Sequence, residues 1–370
     1  MALLGLALHL LVPMVTLAAA KAQAQIVSPE VHADRTVTFR YRDVGAKKVD
    51  LGLEGRDAIP MEKGANGVWT VTTEPLAPDL YGYTFGADGE TRVDVRNAVM
   101  KPNLIWQSSM FLVPGNPPEA WEVQDVPHGT LHHHFYKSDV IGDQRDFFVY
   151  TPPGFRPGKK YPVLYLLHGY SDMASGWSEV GKANLIMDSL IAQGKTKPML
   201  VVMPLGYGVP DFANPFHPAN RERGMGGRSY ENYKKGLLTE VIPAVEREYR
   251  VSSDRKDRAI AGLSMGGAES LFVGLNSHDK FSYVGAFSSG GLAADFATDF
   301  PGLDATKANK QLKLLYVSCG TDDGLITFNR NLVKFLNDKQ IKVQSHETPG
   351  RHAWMVWRRN LIDFSQQLFK

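Results

Sequence analysis

Hydrophobic and polar positions follow two different rhythms along the chain. Over residues 36–41, 49–53, 68–72 and 81–85, apolar and polar side chains alternate. Alternation of period two predicts strands that bury one face, and Asp88-Gly89 supplies a hairpin turn after the last of them. Short strands at this spacing, without helical period, predict a small all-β sandwich over residues 26–112. Pro114, Pro117, Pro118 and Pro127, with Gly115, then predict a semi-rigid connector over 113–127.

From residue 128 the rhythm changes. Residues 161–167 and 199–203 are continuous apolar runs, the pattern of strands buried on both faces. Further strands are predicted at 146–150, 258–261, 283–287, 312–317 and 343–347. Helical stretches lie between most of them, at 184–193, 233–249, 267–275 and 327–336. Pro243 disturbs the second of these helices. Strands alternating with helices predict an α/β domain over 128–370 with a doubly wound, mostly parallel sheet.

Composition adds limits. Hydrophobic residues make up 43% and charged residues 22%, enough apolar material for a sizeable core. Lys plus Arg is 41 against 39 for Asp plus Glu, and no basic run exceeds a pair, so no nucleic-acid partner is expected. Residues 2–20 are nearly continuous in apolar character and close on small residues. Ala22-Gln23-Ala24 fits a small-x-small cleavage site, which predicts a signal peptide over 1–24 and a secreted or periplasmic protein with no stable membrane insertion after cleavage. One cysteine, Cys319, leaves no intramolecular disulfide to form.

The candidate chemistry begins at Gly262-Leu263-Ser264-Met265-Gly266, a G-x-S-x-G sequence between a predicted strand and a predicted helix. Glycine on either side lets the backbone turn sharply enough to lift the Ser264 hydroxyl above the sheet. A serine nucleophile needs a base, and the base an orienting acid. Of the histidines beyond Ser264, His278 sits at a helix exit and His346 inside a strand. His352 lies in the loop after the last strand, where ligand groups gather, and is the expected base. Asp322 and Asp323 both close the preceding strand, and spacing does not separate them. The backbone amides of Met265 and of Tyr170, in the loop after the first long buried strand, are the expected oxyanion donors. Between Pro204 and Tyr233 runs a Gly-, Pro- and aromatic-rich segment with the look of a binding loop. Trp177, Phe212, Tyr230 and Trp354 are the candidate substrate contacts. His132-His133-His134 alternates along a strand with no Cys or carboxylate cluster beside it, so no metal and no organic cofactor are expected.

Taken together, residues 149–155, 161–169, 202–204, 259–267, 319–323 and 347–354 resemble the feruloyl and acetyl-xylan esterases of the first carbohydrate-esterase family, in the wider esterase D group. The resemblance covers about 128–370 and implies an α/β-hydrolase fold and a serine esterase acting on acyl esters of plant polysaccharide. Its Gly-Thr-x-Asp pattern implies Asp323 as the acid. Where that family often has Gly-Gly-His, this chain has Gly350-Arg351-His352. The front sandwich resembles immunoglobulin-like, glycogen-binding-type modules, in which Trp69 and Tyr83 are either core residues or sugar-stacking faces.

Overall fold

The computed structural model describes residues 26–214 and 230–370. The expected signal peptide and the middle of the predicted binding loop, including Phe216, His217, Arg221, Arg223 and Arg228, lie outside the described residues.

The front of the chain folds as two antiparallel sheets. One joins Glu30–Val31, Val37–Arg42, Val68–Thr72 and Glu62–Lys63; the other centres on Asp79–Ala87, flanked by Val49–Leu53 and Ser108–Val113. Their inward positions interdigitate as an aromatic core in which Phe39, Tyr83, Phe85 and Phe111 meet edge to face. Trp69 and Tyr83 belong to this core. Trp69 donates its indole N–H to the Asp43 carbonyl, and Tyr83 donates its hydroxyl to Asp94 at 2.8 Å. Neither presents a face to a sugar.

The expected connector is packed down. Trp121 is buried beneath the guanidinium groups of Arg358 and Arg359, and Glu122 accepts the Gly115 and Glu119 N–H groups.

The second region is one eight-stranded sheet. Its strands are β1 (Thr130–Lys137), β2 (Gln144–Thr151), β3 (Val163–Leu167), β4 (Leu200–Pro204), β5 (Arg258–Leu263), β6 (Tyr283–Phe287), β7 (Leu314–Gly320) and β8 (Gln344–Thr348). The spatial order is β1-β2-β4-β3-β5-β6-β7-β8, with β2 antiparallel to both of its neighbours and β3 to β8 parallel. Helices cover both faces: α1 (Ala183–Ala192), α2 (Tyr230–Gly236), α3 (Ile242–Tyr249), α4 (Met265–Asn276), α5 (Ile326–Asp338) and α6 (Trp354–Ser365). β3, β4 and β5 are buried at every position, as their apolar runs require.

The helix expected over 233–249 is instead three pieces. A wide turn of π geometry, Leu237–Val241, separates α2 from α3, and Pro243 lies in the first turn of α3. Proline has no N–H to donate and crowds the carbonyl four residues back, and a widened turn relieves both. The histidine run lies on edge strand β1 as read: His133 meets Asp146, while His134 meets the Tyr249 hydroxyl from the other face. Among the described residues no group of three His, Cys, Asp or Glu side chains is placed to hold a metal ion.

The sandwich is fastened to the sheet domain through α6. Asp79 and Arg358 are both buried; Arg358 gives Asp79 two hydrogen bonds, from Nε at 3.0 Å and from Nη2 at 2.6 Å. Arg358 also donates to the Val180 and Leu80 carbonyls, and Arg359 reaches the second Asp79 oxygen.

Candidate active site

β5 delivers Ser264 at the middle of the sheet, where α4 begins at once. The turn is tight enough that a Cβ on Gly262 would sit inside the Gly266 carbonyl, and one on Gly266 inside the His168 carbonyl. Ser264 itself holds φ 51°, ψ −114°, a backbone state that L-residues rarely adopt. Three hydrogen bonds keep it there: its N–H donates to Phe287 O at 2.8 Å, and its carbonyl accepts from the Gly290 and Ala268 N–H groups, each at 3.1 Å.

The loop after β8 lays His352 over this serine. Ser264 Oγ lies 3.0 Å from His352 Nε2, and His352 Nδ1 lies 2.8 Å from Asp323 Oδ2. The loops after β7 and β8 approach closely enough that a Cβ on Gly320 would overlap the Gly350 carbonyl. Asp323, not Asp322, touches the imidazole. Its side chain is fully buried and its other oxygen accepts the Leu325 N–H at 2.8 Å, while Asp322 is exposed and accepts from the Thr321 hydroxyl. Burial pushes the Asp323 carboxyl upward, but the hydrogen bond and charge of His352, with the Leu325 N–H and the Ser288 hydroxyl, outweigh it and hold the group ionised below the usual carboxylate range. Hydroxyl, imidazole and carboxylate are thus connected through hydrogen-bond contacts, the geometry that draws a proton off a serine and keeps the resulting imidazolium in place. His278 and His346 take no part: the first sits at the Leu275 carbonyl, the second stacks on Tyr316.

His168 shapes the neighbouring loop. Its Nε2 accepts the Gly206 N–H at 2.8 Å, so Nδ1 carries the proton and donates to Gly169 O at 2.8 Å. Burial pushes its pKa down to about 4, which keeps the ring neutral. Asp172 accepts the Gly169 N–H at 3.2 Å and completes the loop that carries Tyr170.

These groups open into a cleft of about 1060 Å³, at the top of the ~300–1,000 Å³ usual for ligand pockets. Tyr170, Met265 and Trp354 line it. The other three aromatics proposed as substrate contacts stand behind its walls. Trp177 is wholly buried, because its indole N–H must reach a carbonyl and finds Leu167 O at 2.8 Å beneath the loop that carries Tyr170. Tyr230 packs on Phe272 and donates its hydroxyl to Gly291 O from the far side. Phe212 stacks on Tyr207 at 3.7 Å and meets Tyr170 edge-on, backing that ring.

The sandwich contributes what the sequence reading missed. Glu54, Lys101, Asn103 and Trp106 all line the cleft. Glu54 accepts the N–H of Trp354 at 3.1 Å, two residues past His352, and that of Gly82 at 2.9 Å. Burial works against its charge, yet Lys101, Arg358 and these two amides hold it below the usual carboxylate range. No local pattern marks Glu54 as special, since its partner is 300 residues away.

The family described as Esterase matches residues 138–368. An endo-1,4-beta-xylanase/feruloyl esterase of Xylanibacter ruminicola is 33% identical over 352 residues, covering 92% of this chain and 46% of that protein. The chain therefore spans about half the length of that relative. A ferulic acid esterase of Anaeromyces mucronatus, solved with ferulic acid, superposes with TM-score 0.59 at 26% identity, covering 70% of this chain and 98% of that one. The enterochelin esterase of Shigella flexneri superposes with TM-score 0.70 over 92% of this chain and 95% of its own; at 17% identity that likeness speaks for the fold alone. An α/β-hydrolase sheet with a front sandwich, matched by the family over more than half its length, leaves one conclusion: the chain belongs to the Esterase family.

Proposed function

We propose that this protein is a serine carboxylic-ester hydrolase that releases feruloyl or acetyl groups from plant polysaccharide such as xylan. The observation that carries the reading is the contact chain from Ser264 through His352 to buried Asp323 at the floor of a large cleft. His352 takes the Ser264 proton as the oxygen attacks the ester carbonyl. The amides of Met265 and Tyr170 hold the developing oxyanion, and Asp323 fixes the imidazole tautomer. His352 then returns the proton to the leaving alcohol, and water, activated by the same imidazole, cleaves the acyl-enzyme. The polysaccharide assignment draws on the feruloyl esterase names of the relatives. The front sandwich is read as an immunoglobulin-like module of glycogen-binding type, and export to the periplasm or medium follows from the leading apolar segment. Among the described residues no helix is long and apolar enough to cross a membrane.

The test is a panel of methyl ferulate, acetylated xylan, p-nitrophenyl acetate and a catecholate siderophore ester, run on wild type and Ser264→Ala. Turnover of the first two, lost in the variant, is expected. Equal p-nitrophenyl acetate rates in both proteins would remove the enzyme reading, and turnover of the siderophore ester alone would replace the substrate.

A further inference from the structure

The two walls of the cleft differ in a way that divides the substrate. On the sheet-domain side, Leu263, Met265, Trp354 and Trp357 reach the cleft while themselves buried. On the sandwich side, Thr91, Arg92 and Gln107 are exposed and polar, and Trp106 is 61% exposed. An acyl group gains most from the enclosed apolar wall, where its surface leaves water entirely. A sugar ring has an apolar C–H face and a rim of hydroxyls, so it suits an open aromatic face bordered by hydrogen-bonding side chains.

We infer that Trp106 is a stacking face for the sugar that bears the ester, so that the sandwich supplies the alcohol half of the site and the sheet domain the acyl half. This rests on the polysaccharide reading above. The Trp106 loop is built rigidly onto the oxyanion loop. Asn103 Oδ1 accepts the N–H groups of Ile105 and Trp106 at 3.0 and 2.8 Å. Asn103 Nδ2 donates to Ser171 Oγ at 2.9 Å and Asp172 Oδ1 at 3.1 Å, and the Leu104 N–H donates to Ser171 O at 2.8 Å. The indole tilts against Tyr170, 5.8 Å between ring centres, and Phe212 supports Tyr170 from behind. An exposed indole held this firmly loses little freedom on binding, which is what a recognition face needs and a stray surface tryptophan lacks.

The experiment measures the ratio of kcat/KM for a feruloylated arabino-xylo-oligosaccharide to that for methyl ferulate, which share the acyl group and differ in the alcohol. Trp106→Ala is expected to lower this ratio about tenfold, the scale of one aromatic stacking contact. Trp106→Phe is expected to keep most of the ratio, and Trp106→Leu to behave like alanine. A ratio that Trp106→Ala leaves unmoved or raises overturns the inference, because the indole then serves the acyl side or nothing. A wild-type ratio at or below one overturns the polysaccharide reading itself, and is seen before any variant is made.

Discussion

Asp79→Ala probes how the sandwich is joined to the sheet domain. Asp79 and Arg358 have side-chain exposures of 1% and 0%. The substitution removes two of the four hydrogen bonds that Arg358 makes and leaves its guanidinium bonded to the Val180 and Leu80 carbonyls, a buried charge that has lost its hydrogen-bonded counter-ion. Breaking a buried pair on one side costs about 3–5 kcal/mol. Loss of the half-exposed Arg359 contact adds only about 0–1 kcal/mol. Urea unfolding followed by tryptophan fluorescence should therefore place Asp79→Ala roughly 4 kcal/mol below wild type. The double variant Asp79→Leu/Arg358→Met, which removes both charges and keeps volume, should recover most of that loss. Activity should fall in the single variant, because Arg358 sits on α6, whose first residue, Trp354, lies two positions past His352. A loss below about 1 kcal/mol, or a double variant no better than the single, would refute the claim that this pair is desolvated and joins the two parts.

Further outcomes follow from the same geometry. Asp323→Asn should lower kcat on p-nitrophenyl acetate by about 10⁴-fold through loss of the correct imidazole tautomer, whereas Asp322→Asn should stay within a few-fold; the reverse ranking would reassign the acid. Glu54→Ala should lower kcat more than it raises KM, with partial rescue in Glu54→Gln, because the carboxylate holds the Trp354 N–H beside His352 rather than the substrate; a pure KM effect contradicts this. Stability should also depend on pH through His168. Its folded pKa of about 4 lies below the ordinary 6.5, so between these values the unfolded chain binds a proton that the folded chain refuses. Its contribution is whole above pH 6.5 and shrinks by up to about 3 kcal/mol as pH falls to 4. Asp172, pushed up to about 6 by burial, works in the opposite sense: its neutral form favours the fold at low pH, and that favour is lost as pH rises through 6. Denaturant midpoints from pH 4 to 8 should show a shallower acid limb in His168→Gln than in wild type, and parallel limbs would exclude His168 as the source.

The sheet and the turn that carries Ser264 were legible because their signals are local. The apolar runs at 161–167 and 199–203 became β3 and β4, and the glycines flanking Ser264 are spaced by a turn that excludes Cβ atoms. Asp322 and Asp323 could not be parted by spacing, since neighbours in a loop point opposite ways and only the fold says which way His352 lies. The aromatic contacts read least well. Trp177 and Tyr230 have polar atoms that need buried partners, which draws them behind the wall, while Trp106 carries no periodic or motif signal at all. Glu54 and Lys101 enter the cleft because of how the sandwich docks, a long-range packing outcome that no window of sequence encodes.

The central claim is that Ser264 is the acylated nucleophile, and covalent trapping measures it most directly. After stoichiometric treatment with a fluorophosphonate, peptide mass spectrometry should find a single adduct on the peptide carrying Ser264, with esterase activity falling in step and no label on Ser264→Ala. Label on a different residue, or full activity with Ser264 blocked, would contradict the account.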